Sequence, residues 1–155
     1  MRVRVVVRLA VLADLDALAA LFDAYRQFQG QRADRAAARA FLRARFERGQ
    51  SVLFIACAGE GGAALGFAQL YPSFSSVALA RVFILNDLFV AEAGRRQGVA
   101  TALLAAVEAH AFALGACRLT LNVARDNVAG QALYRARGWQ PDAQFLMFHR
   151  FAGGG

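Results

Sequence analysis

The feature that most constrains this chain is a strand, a helix and a second strand in immediate succession. "VALARVFILNDLFV", residues 77–90, is rich in β-branched and aromatic residues and reads as a long strand. In "AEAGRRQGVATALLAAVEAHAFALG" Val99, Leu103, Val107 and Leu114 share one helical face, which predicts a helix over about 97–114 stopped by Gly115. "CRLTLNVA", 117–124, reads as a strand again. That is a βαβ unit, and open α/β sheets bind ligands at the carboxyl ends of such strands. There the chain places Arg95, Arg96 and Gly98 against the helix start. A helix N-terminus carries unpaired N–H groups and about half a positive charge, so this turn is built for an anion.

The flanking sequence supplies the rest of a layered domain. Residues 2–9 alternate Arg2 and Arg4 against Val3 and Val5 and read as a first strand. "DLDALAALFDAYRQFQG", 14–30, has Leu15, Leu18, Leu21, Phe22 and Tyr25 at helical spacing, with Asp14 as N-cap and Gly30 as stop. A second helix is expected at about 34–48, capped by Asp34, with Phe41, Leu42 and Phe46 toward the core and five arginines on the other face. "SVLFIACAGEGGAALGFAQLYP" reads as a hairpin turning at 59–62, with Pro72 and the serines at 73–76 as the next break. A short helix in "DNVAGQALYRARGW" closes at Gly138, "AQFLMFHRF" (143–151) reads as a final strand, an extra strand near Trp139 is allowed, and 153–155 form a tail. The order β-α-α-β-β-β-α-β-α-β gives an α/β class with a mixed sheet and helices on both faces, as a single domain over 1–152.

Composition narrows the chemistry. The chain has 155 residues, 58% of them hydrophobic, yet no apolar run approaches the ~20 residues of a membrane span. Arg4 and Arg8 interrupt what could resemble a signal peptide, so a soluble, cytoplasmic protein is expected. All 18 basic residues are arginine, which removes a Walker-type phosphate loop and lysine Schiff-base chemistry. Cys57 and Cys117 sit singly in strand-like segments and read as buried, inert thiols; with His110 and His149 also solitary, no metal site is expected. "GEGGAA", 59–64, matches a dinucleotide fingerprint, but a strand-like segment follows it where a helix is required.

Two segments together resemble the Gcn5-related N-acetyltransferase (GNAT) superfamily. "LNDLFVAEAGRRQGVATALLAAVEAHA" is similar to its central motif, with Arg95, Gly98 and Ala100 at the three fixed positions of [Q/R]-x-x-G-x-[G/A]. "LNVARDNVAGQALYRARGW" is similar to N-x-x-A-x-x-L-Y-x-x-x-G-[FW], through Asn127, Gly130 (where alanine is usual), Leu133, Tyr134, Gly138 and Trp139. "QLYPSFSS" and "ILNDLFV" are similar to the yeast Hpa-type branch and its bacterial relatives. The departures are Arg96 where many members have glycine, Glu92 where many have proline, and Asn86 where relatives often carry a glutamate base.

The resemblance implies acetyl-coenzyme A as cofactor and acetyl transfer to an amine. Backbone N–H groups through Arg95, Arg96, Gln97, Gly98, Val99, Ala100 and Thr101 would hold the pyrophosphate. The backbones of Leu88, Phe89 and Val90 would hold the pantetheine arm, with the Phe89 N–H expected to polarise the thioester carbonyl. Tyr134 would be the general acid toward the coenzyme A sulfur; its ordinary alternative is a packed helix aromatic. Asp87 is the candidate base, or else an ion-paired strand residue or loop cap, and Asn122 and Asn127 would bond either coenzyme or loop backbone.

The acceptor side is expected from Tyr25, Phe28, Tyr71, Phe74, Ser75 and Ser76. A net charge of +7 does not gather polycations, which favours a neutral or acidic small-molecule amine such as an amino acid unless Asp14, Asp16 and Asp23 form a local acidic cluster. Neither cysteine has an activating partner, so direct transfer in a ternary complex is expected. The alternatives are a peptide-lysine or polyamine acetyltransferase, a non-catalytic acyl-coenzyme A sensor, and a nucleic-acid binder using the arginines of the second helix. Neither specific nucleic acid nor a membrane is an expected partner; a homodimer is.

Overall fold

A computed structural model, which describes residues 3–154, turns the alternating segments into a five-stranded sheet in the order β1-β2-β3-β4-β5. Arg2 of the expected first strand and Gly155 of the expected tail lie outside the described residues. β1 (Val5–Leu9), β2 (Val52–Ala58), β3 (Ala64–Ser75) and β4 (Ala80–Val90) are antiparallel neighbours, and β5 (Arg118–Thr120) runs parallel to β4. A parallel pair needs a crossover, which α3 (Val99–Ala113) provides. α1 (Leu15–Phe28) and α2 (Arg35–Arg48) join β1 to β2, and α4 (Val128–Ala136) follows β5. The described chain divides into two compact units: the sheet with α1, α2 and α3, ending at Asn122, and a C-terminal unit with α4, beginning at Val123.

Strand pleating sorts the core onto two faces. Leu53, Ile55 and Cys57 of β2 and Phe67 of β3 pack with Leu15, Leu18, Leu21 and Phe22 of α1 and with Ala38 and Leu42 of α2. The intervening Phe54 turns the other way, to His110 of α3 at 5.4 Å between ring centroids, and Phe83 of β4 meets the same imidazole at 6.2 Å. Helices therefore cover opposite faces, as the mixed-sheet reading requires. Fully buried side chains such as Phe67 and Leu103 each contribute about 1.5–3 kcal/mol.

One extra residue breaks the β3–β4 ladder. Gln69 pairs with Asp87 and Leu70 with Leu85, leaving Asn86 without a cross-strand partner. Such a bulge bends its strand and sharpens the twist. The β4–β5 pairing covers only Val82–Ile84 against Arg118–Thr120 and stops just before it.

Helix ends follow their capping chemistry. The Asp34 carboxylate accepts from the Ala37 N–H at 3.0 Å. α3 ends with Gly115 at φ +84°, the Ala116 N–H reaching Ala111 O at 3.1 Å and the Gly115 N–H reaching Phe112 O at 3.1 Å. Asp14 precedes α1 as expected, but its carboxylate caps nothing there. It is taken by Arg8 at 2.7 Å and by the Val11 N–H at 2.8 Å, which closes a single 3-10 turn before the helix.

Several expectations are corrected. Pro72 does not end β3, which runs on to Ser75. The β2 pairing finishes at Val52–Leu70, so Pro72 lies where β3 has a free edge and a missing N–H is tolerated. The strand expected at 117–124 pairs only over Arg118–Thr120. Cys117, expected buried, is exposed. No strand forms at 143–151. The Asp142 carboxylate accepts from the Gln144 and Phe145 N–H groups at 2.8 and 3.1 Å, a local turn that takes donors a ladder would use. Nor is there a strand at Trp139, whose N–H closes α4 on Tyr134 O at 3.0 Å. The turn at 59–62 is a hairpin, with Gly59 and Gly61 at positive φ and β3 starting at Ala64, which removes the dinucleotide reading.

Candidate active site

The turn between β4 and α3 is a rank of free donors. A 3-10 turn at Glu92–Gly94 leads into Arg95, and α3 begins at Val99 after Gly98. The first helical bond is from the Ala102 N–H to Gly98 O, and among the described residues none of the N–H groups of Arg96 through Thr101 has a protein acceptor. Arg96 at φ +62° and Gly98 at φ +75° both adopt the left-handed conformation, which curls successive N–H groups into a concave nest. A Cβ on Gly98 would meet nothing within 4 Å, so glycine answers the backbone conformation rather than a lack of room. The turn is braced by Gln97 Nε2, which donates to Ala93 O at 2.8 Å. With the exposed Arg95 and Arg96 beside it, the donor set fits a diphosphate.

Beyond Ile84 the β5 side of β4 carries no strand among the described residues. Ladder geometry tells which groups face that open side. The Ala91 N–H donates to Leu65 O at 2.8 Å, and directly opposed pairs alternate between bonded and non-bonded. Phe89, opposite Phe67, therefore points its N–H toward β3, while Leu88 and Val90 present theirs to the open edge. Arg95 Nε reaches Val90 O at 3.5 Å, in keeping with that orientation. The expected polarising role of the Phe89 N–H is thus corrected: alternation commits it to the sheet. Its ring lies among Tyr25, Phe28 and Phe67.

Asp87, next to this edge, is 5% exposed. Gln69 Nε2 donates to its Oδ2 at 2.7 Å, Asn86 Nδ2 to its Oδ1 at 3.1 Å, and the Tyr25 hydroxyl supplies a further bond. Burial nevertheless dominates and raises the carboxyl above its ordinary range, the three bonds offsetting part of the rise. Asp87 and Asn86 line a cavity of about 390 Å³ together with Phe22 and Arg26 of α1, Phe41 of α2 and Tyr71 of β3. The Tyr71 phenol is raised too, by burial first and then by Asp87.

In the C-terminal unit, Tyr134 is half-buried on α4 with its ring 6.0 Å from that of Trp139, and burial raises its phenol. Asn127 caps α4, its Oδ1 accepting from the Gly130 N–H at 2.9 Å, which is the backbone alternative of its two expected roles.

Three comparisons bear on this arrangement. The model of the acetyltransferase (GNAT) family matches residues 15–139, running through both units. The chain belongs to the GNAT acetyltransferase family. Among GNAT relatives it is 42% identical over 142 residues to the uncharacterized N-acetyltransferase YhfO of Bacillus subtilis, covering 92% of this chain and 94% of that protein. A crystal structure of a probable acetyltransferase matches with a TM-score of 0.90 at 41% identity, over 97% and 98% of the two chains. The aminoglycoside acetyltransferase AAC(6')-Iy, solved with a bisubstrate analogue, shares the fold with a TM-score of 0.75 at 24% identity, over 96% and 98% of the chains.

At Gly130, where the GNAT motif usually has alanine, a Cβ would lie 2.7 Å from Asn127 Nδ2, so the capping side chain would have to shift to admit it. Of the expected acceptor residues, Tyr71 lines the cavity and Tyr25 reaches Asp87, while Phe28 is exposed against Phe89. Phe74, Ser75 and Ser76 are not part of the lining; they occupy the far end of β3 and its turn, where Ser75 Oγ accepts from the Ala78 N–H at 3.2 Å. The site also contains residues that sequence reasoning passed over. Gln69 lies in an apolar strand run, and Arg26 one turn after Phe22 near the end of α1; neither carries a local signal. No helix among the described residues is long and apolar enough to cross a membrane, and no group of three His, Cys, Asp or Glu side chains suits a metal.

Proposed function

We propose that this chain uses acetyl-coenzyme A to acetylate the primary amine of a small molecule, an amino acid or similar amine, by direct transfer in a ternary complex formed by one domain over residues 1–152. Asp87 carries the reading: a buried carboxylate of raised proton affinity on a cavity wall, one residue from the open edge of β4.

Acetyl-coenzyme A brings an electrophilic thioester carbonyl and a thiolate leaving group. The N–H groups from Arg96 to Thr101, with Arg95, hold its diphosphate, and the open edge at Leu88 and Val90 takes its extended arm. The N–H groups presented there stabilise negative charge developing on the carbonyl oxygen. Asp87 accepts the proton of the attacking amine. Tyr134 donates its phenolic proton to the departing sulfur; burial raises its pKa, which keeps it protonated at neutral pH. Asn122 remains a candidate for contact with the coenzyme.

The acceptor class is supported by how the acidic residues are spent. Asp14 pairs with Arg8, Asp16 with Arg39, and Asp23 is buried, accepting from the Asp34 N–H at 2.8 Å. No acidic cluster is left on α1 to gather a polycation.

Thiol release from acetyl-coenzyme A is the test, against D- and L-amino acids, polyamines, aminoglycosides and a lysine-rich peptide, with an amine-free blank and coenzyme binding measured in parallel. Release with an amino acid is the expected result. Release with polyamines or peptide alone overturns the acceptor class, and coenzyme binding without release from any amine overturns the transferase reading.

A further inference from the structure

The cavity holds one cation and one acid that do not pair. Arg26, half-buried in the last turn of α1, makes no side-chain hydrogen bond or ion pair among the described residues, although it lines the same cavity as Asp87. The neighbouring arginines on α2 are engaged elsewhere: Arg39 with Asp16 at 2.7 Å and Arg43 with Glu47 at 2.7 Å. A second guanidinium stands behind the cavity wall. Arg45 lies over the Phe41 ring at 4.5 Å from its centroid, its Nε is buried without a hydrogen-bond partner, and its charge reaches Tyr71. Leaving a guanidinium part-buried and unpaired is costly, and its planar fork matches the two oxygens of a carboxylate. Asp87 is held by donors of the sheet and α1, so it does not serve as that partner.

We infer that Arg26 binds the carboxylate of an acceptor that carries both an amine and a carboxylate, presenting the amine to Asp87. The inference rests on the transferase reading above and names its substrate class. Phe22, Phe41 and Tyr71 line the same cavity and offer apolar surface to the acceptor's carbon skeleton. The arrangement also discriminates: an acceptor with a second cation in place of the carboxylate meets Arg26 with like charge.

The test compares leucine, methionine and phenylalanine with their carboxamides, using the native chain, Arg26→Gln and Arg26→Lys. The amide's amine is the less basic of each pair, so amine reactivity alone favours the amide. The expected result is a preference for the acid of about tenfold or more in kcat/KM, as charged hydrogen bonds provide. In R26Q that ratio falls toward one, and R26K keeps part of it. Circular-dichroism melts establish that each variant folds; the acid-to-amide ratio of the native chain is decisive even where a variant does not. Equal or faster turnover of the amides overturns the carboxylate site and leaves the transferase reading standing. If no pair turns over, calorimetry with the same compounds and coenzyme A decides: binding of the acids that R26Q abolishes upholds the site without transfer, and no binding overturns both.

Discussion

Gln69 Nε2 donates to Asp87 Oδ2 at 2.7 Å directly across the β3–β4 ladder, so the proposed base is held by the strand beside it. Gln69 is wholly buried and its own Oε1 has no partner. One N–H of the amide is given to the Asp87 carboxyl, while its oxygen is left without a donor. Replacing Gln69 with leucine removes a bond that lowers the Asp87 pKa and leaves burial to raise it further. The acid limb of the kcat/KM profile should move to higher pH. A profile that stays put or moves to lower pH would count against Asp87 as the base.

Asp87→Asn should separate activity from stability. Removing a general base costs about 10²–10⁴ in kcat. Because folding raises the Asp87 pKa, the stability linked to its protonation is present below the unfolded value of 3.8 and is lost as pH rises through the folded value. At neutral pH the buried ionised carboxylate is a net cost that asparagine does not incur. D87N should melt above the native chain at pH 7, with the difference narrowing as pH falls toward 3.8. A lower Tm at pH 7 would contradict the burial argument.

Tyr134→Phe keeps the ring against Trp139 and removes only the phenolic proton. Turnover should drop by about 10²-fold or more while coenzyme A affinity, measured by calorimetry, stays near the native value. Equal loss of both would show that the tyrosine binds rather than donates.

Gly66→Ala tests the support of the open edge. A Cβ at Gly66 would lie 2.7 Å from Phe89 O and 3.3 Å from Val90 Cα, with Val99 Cγ1 at 3.2 Å. Backbone cannot rotate away as a side chain does, so β4 must shift at a cost of about 1–3 kcal/mol. Urea denaturation should register the loss, and KM for acetyl-coenzyme A should rise because Val90 lies on the displaced edge.

The βαβ unit and its arginine-rich turn were legible because each depends on local chemistry: apolar spacing, a glycine, a helix start. The hairpin at 59–62 was legible for the same reason. The bulge was not. By number alone Leu85 and Asp87 fall on one face, yet Leu85 pairs with Leu70 and Asp87 with Gln69, which lie on opposite faces of β3. The orientation of the Phe89 N–H was illegible on the same grounds, since it depends on which strand lies alongside. Arg26 shows the other limit: its meaning comes from a cavity assembled by two helices and two strands remote in sequence. Residues 143–151 read as a strand because composition records the propensity to extend and says nothing about a partner.

The unpaired Asn86 has a further consequence. Its side chain adds one bond to Asp87, but its larger contribution is positional: being one residue too many, it bends β4 where the β5 ladder stops. Many side chains can occupy such a position with the backbone path kept. Deleting it restores one-to-one pairing, removes the bend, and takes away its bond to Asp87. The site is thus tolerant of spelling and intolerant of length, so a reading-frame-preserving deletion of this one codon should harm it more than most replacements of the residue it encodes.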